Sequence, residues 1–111
     1  MSFVRCLALS ALLALPATVQ AQDGRLTERL DAPTAARVQQ VVDSARQARL
    51  PSEPLVQKAL EGGTLGASGE RIVAAVEALH GQLGRARDAL GGNASDAELT
   101  AAAGEIGRAH V

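Results

Sequence analysis

The chain predicts an all-α fold: a short antiparallel helical bundle or set of hairpins with about four helices. Three observations predict it. Apolar residues recur at i, i+3, i+4 and i+7 spacing. Residues that cap helix N-termini stand before these runs, and proline or glycine pairs separate them. At 111 residues the chain is one small domain at most.

Residues 1–21 read as a secretory signal. Arg5 supplies a positive start, Cys6 to Leu15 form an apolar stretch, Pro16 breaks it, and Val19-Gln20-Ala21 offers small residues for cleavage after Ala21. The stretch is too short to span a bilayer, which needs about twenty apolar residues. The expected location is therefore periplasmic or secreted, with no membrane span after cleavage. Cys6 lies inside this segment, so the mature chain carries no thiol and no disulfide is expected.

Residues 22–31 form a polar lead-in, frayed or at most a short helix, with Leu26 and Leu30 as its large apolar residues. The helical domain proper is expected over 32–104. Asp31 caps its first helix and Pro33 sits in the first turn, where proline is tolerated. Val38, Val41, Val42, Ala45 and Leu50 give one buried stripe before Pro51 ends it. Ser52 then opens a short helix with Pro54 in its first turn and Leu55, Val56, Ala59 and Leu60 as its apolar positions, closed by Gly62-Gly63.

A glycine-rich loop from Gly62 to Gly69 leads to Ser68, the expected cap of the longest helix, about Gly69 to Leu90. Ile72, Val76, Leu79, Leu83, Ala86 and Leu90 form a heptad packing seam along it, which predicts shallow left-handed packing on another helix. Gly81 and Gly84 each cost this helix about 1 kcal/mol against alanine and are read as points of close approach. Gly91-Gly92-Asn93 stops it. Ser95 and Glu98 have the spacing of a capping box and open a last helix with Leu99 and an alanine run through Ala103.

Composition excludes more than it selects. Lys and Arg number 11 against 12 Asp and Glu, and there is no Trp or Tyr. A nucleic-acid partner needs clustered cations or stacking rings, and neither is present in the pattern. Glu77 and His80 have the three-residue spacing that puts two metal ligands on one helix face, but one such pair is not a site. They are the weak metal candidates. The serines sit at helix starts, where capping explains them without a catalytic base. Gly62-Gly63-Thr64-Leu65-Gly66 lacks the preceding strand and following lysine of a phosphate loop. No catalytic residue and no cofactor is expected.

The run Leu50-Pro-Ser-Glu-Pro-Leu-Val-Gln-Lys-Ala-Leu-Glu-Gly62, continued by Gly69-Glu-Arg-Ile-Val73, resembles a motif of uncharacterised exported α-helical bacterial proteins, LPxxPLxxKxLEG followed by a glycine loop and GERI. The resemblance covers about Arg49 to Leu90 and implies an exported helical protein without implying an activity. Residues 105–111, Glu-Ile-Gly-Arg-Ala-His-Val, resemble the in-frame translation of a sequencing adapter, GAG ATC GGA AGA GCA CAC GTC. On this resemblance 105–111 are expected to be an adapter-derived tail and the helical domain to be truncated, which would remove His110 from any metal argument.

The expected core is small: Leu, Ile and Val without an aromatic ring between residues 22 and 104. Such a core invites completion by another helix. The expected function is therefore helix-mediated protein interaction or a structural role, by self-association or with a helical partner. The alternative is a periplasmic metal- or small-ligand-binding helical protein, and the weakest reading is a hydrolase.

Overall fold

The computed structural model describes residues 23–109. Residues 1–22, which carry the expected leader and its expected cleavage site, and His110 and Val111 lie outside the described residues. Five helices and no strand are present among them: α1 (Gly24–Arg29), α2 (Ala32–Gln47), α3 (Glu53–Thr64), α4 (Gly69–Leu90) and α5 (Asp96–Ala109). The fold is all-α, with one helix more than the sequence predicts.

The additional helix lies in the polar lead-in. Asp23 caps α1 by accepting the Arg25 N–H at 3.0 Å, and Leu26 and Leu30 are buried. Two leucines four apart are a short signal in a polar segment, yet they are enough to seat six residues on α2 and α3.

The caps of the longer helices follow from local chemistry. Asp31 accepts the Thr34 N–H at 2.9 Å, and Ser68 accepts the Arg71 N–H at 3.3 Å. The capping box forms in both directions: the Ser95 N–H donates to Glu98 Oε1 at 2.8 Å, and the Glu98 N–H donates to Ser95 Oγ at 3.1 Å. Ser52 departs from expectation and makes no side-chain cap. Its backbone is helical (φ −95°, ψ −25°) rather than extended, so the Ser52 carbonyl takes the Leu55 and Val56 N–H groups while the hydroxyl is left out.

Gly62 and Gly63 do not close α3; the helix runs through them to Thr64 and turns at Gly66, φ +78°. Their role is contact. A Cβ on Gly62 would stand 2.8 Å from Ile72 Cγ1, and one on Gly63 would stand 3.0 Å from Leu30 Cδ2. Gly69 completes the group, since a Cβ there would fall on the hydroxyl of buried Thr34. Three glycines thus let α1, α2, α3 and α4 converge at one end of the bundle.

These contacts set the directions. Thr34 lies at Gly69 and the Arg49 carbonyl accepts from Arg87 Nη2 at 2.9 Å, so α2 and α4 run the same way. Gly62 lies at Ile72, which makes α3 antiparallel to both. α5 returns along α4 and brings Gly107 to Gln82. α4 is the hub and packs on α2, α3 and α5.

Burial along the seam is uneven, with Leu79 in its middle and Leu90 at its C-terminal end the less covered positions. Ile72, Val76, Leu83 and Ala86 are buried inside the chain, whereas Leu79 is half-buried and Leu90 is 50% exposed. A straight helix drifts about 20° per heptad, so a seam begun at Ile72 has rotated off the core by Leu90. Val73, outside the seam, is buried because a helix with three neighbours needs a wider stripe than one partner would. Residues 105–109, within the segment resembling adapter translation, continue α5, and Ile106 packs partly against the core.

Candidate functional site

The predicted metal candidates do not converge on a centre. Glu77 is exposed and His80 half-buried on α4, and no group of three or more His, Cys, Asp or Glu residues able to hold a metal occurs among the described residues. The glycine loop offers no phosphate cradle either, because Gly62 and Gly63 are packed inside α3. Ser68 and Ser95 are occupied as caps.

The candidate site is a feature the sequence did not announce: an open cleft of about 700 Å³ between the first turns of α3 and α5. Its construction begins at the end of α2. Arg49 adopts φ 61°, the Arg49 N–H donates to the Arg46 carbonyl at 3.0 Å and the Leu50 N–H to the Ala45 carbonyl at 2.8 Å. This pair of bonds is a Schellman turn with arginine where glycine is usual. The turn buries Leu50 and Pro51, and directs Pro51 and Pro54 to one wall of the cleft. Ala97 and Ala101, one helical turn apart on α5, form the facing wall.

The polar groups around these walls are mostly engaged within the chain. Glu53 receives Arg25 Nη1 and Nη2 at 2.9 and 3.0 Å, and Gln57 Nε2 at 2.8 Å. Arg25 also binds Asp23 through Nε and Nη2, at 3.0 and 2.8 Å. The Arg25 guanidinium, with Gln57 second, holds the Glu53 carboxyl down to about 2, and Arg25 lowers Asp23 as well. The Thr100 hydroxyl donates to the Asp96 carbonyl at 2.8 Å. What the cleft offers an occupant is therefore chiefly apolar surface, with the Asp96 carboxylate and the Ser52 hydroxyl at its edge.

Sequence reasoning missed this arrangement because its two walls lie more than forty residues apart. The usable signals were the Pro51/Pro54 pair and the Ala97/Ala101 spacing, each of which reads locally as helix punctuation or propensity. No helix among the described residues is long and apolar enough to cross a membrane. Comparison with protein-family models, curated proteins and solved structures finds no match to this chain.

Proposed function

We propose that this chain is an exported, non-enzymatic helical interaction module, and that a helix of a protein partner docks in the cleft between α3 and α5. The observation that carries the reading is the character of the cleft. Pro54, Ala97 and Ala101 present small apolar surface above the buried Pro51, and the neighbouring Glu53, Gln57 and Thr100 already have hydrogen-bond partners. Small residues one turn apart let a second backbone come close, and prolines lose little conformational entropy on contact. Export rests on the pattern of residues 1–21 and predicts a mature N-terminus at Gln22.

The test is photocrosslinking in the exporting cell with a reactive residue at Ala101, against the same residue at Arg37, an exposed position on α2. The expected result is one discrete adduct from position 101 that disappears when Ala97 is changed to Glu. Its mass tells a second copy of this chain from another protein. Equal patterns at 101 and 37, or an adduct indifferent to Ala97→Glu, would overturn the reading.

A further inference from the structure

The segment α1 differs from the other helices in how it is held. It has six residues, too few to be helical alone, and it is seated on α2 and α3 by only two buried side chains, Leu26 and Leu30. Its side-chain ties from Arg25 to Glu53 and from Arg29 Nη1 to Thr64 Oγ1, at 3.3 Å, are exposed, and the Asp23 N–H donates to Gln39 Oε1 at 3.1 Å in a half-buried position. The N-terminal cap of α2 does not depend on it. Asp31 caps α2 with its own carboxylate, and the Leu30 backbone is extended (φ −119°, ψ 154°), so a pivot stands ready between the two helices.

We propose that α1 is a releasable strap, latched by the Arg25–Glu53 contact and pivoting at Leu30–Asp31, that undocks as a unit while α2 to α5 stay folded. Release uncovers the apolar surface beneath Leu26, where Ala35 of α2 lies, and frees Gly63 from Leu30. Segments with few buried contacts and exposed hydrogen bonds are the ones that open below the global unfolding free energy. Glu53 also borders the cleft, so the latch and the cleft share a residue. The strap itself stands independently of what the cleft binds.

The experiment is native-state hydrogen exchange on the whole chain, comparing amides of α1 with those of Val76 and Leu83 in α4. In the wild type the α1 amides should exchange through an opening that low denaturant does not accelerate, with protection well below that of α4. Glu53→Gln should lower α1 protection by about twofold to fivefold, the range for an exposed ion pair, while α1 still opens well below α4 and without acceleration by low denaturant. The strap is refuted if α1 exchanges only with the slowest amides of α4, or if denaturant accelerates α1 exchange as steeply as that of α4. An unchanged α1 in Glu53→Gln refutes the latch.

Discussion

Arg49 holds a backbone conformation, φ 61°, that costs an L-residue with a Cβ roughly 1–2 kcal/mol. Its side chain is exposed, and the contact it makes with Arg87 uses the backbone carbonyl. Arg49→Gly keeps that contact and removes the strain, while the freer unfolded chain takes back part of the gain. The expected outcome is stabilisation by about 0.5–1 kcal/mol, read as a higher urea midpoint at unchanged slope. Gly69 gives the opposite case. A methyl group there meets the Thr34 hydroxyl, which together with the Thr34 amide holds the Asp31 carboxyl below its ordinary range at the cap of α2. Gly69→Ala should therefore destabilise by about 1–3 kcal/mol even though alanine is the better helix former. Urea denaturation decides it, and a neutral result would show that α2 and α4 do not meet at Thr34.

Between helices, the latch of α1 to α3 sets an acid response. The Glu53 carboxyl titrates at about 2 in the folded chain against an ordinary 4.5, because Arg25 binds its charged form. A depressed folded value means stability that is fully present above 4.5 and is lost as pH falls toward 2. Asp23, lowered by the same guanidinium, acts in the same direction. Acid titration at fixed urea should show stability falling through this window in the wild type, with a shallower fall in Glu53→Gln. The cap of α5 is a separate test: Ser95→Ala removes one half of the capping box and should cost about 1 kcal/mol in urea denaturation. That box, like the caps at Asp31 and Ser68, was legible because donor and acceptor lie three residues apart. The contact of Arg25 with Glu53 was not legible, since the two are 28 residues apart and nothing local pairs them. Gly62 and Gly63 were misread for the same reason. A glycine pair is a local stop signal, and only the approach of Ile72 and Leu30 turns it into a packing site.

Across the molecule, burial along α4 measures how the chain closes on itself. The heptad seam read from sequence treats Leu79, Leu83 and Leu90 alike, as knobs for a partner helix. In the fold they are graded: Leu83 is fully buried where α4 runs between its neighbours, Leu79 is half-buried, and Leu90 is half-exposed beside the turn into α5. The cost of truncation should follow that gradient. Leu83→Ala leaves a cavity in a core that contains no aromatic side chain among the described residues, and should lose about 2–5 kcal/mol. This is a large share of the roughly 5–15 kcal/mol that holds an ordinary small domain together. Leu79→Ala should lose about half as much, and Leu90→Ala no more than about 0.5 kcal/mol, the range of a surface substitution. Urea denaturation of the three variants, followed by far-UV circular dichroism, gives the comparison in one series. A steep order from Leu83 to Leu90 places the seam inside this chain. Equal losses at all three, deepening with protein concentration, would mean that the stripe is buried against a second helix from outside, and that self-association completes the fold.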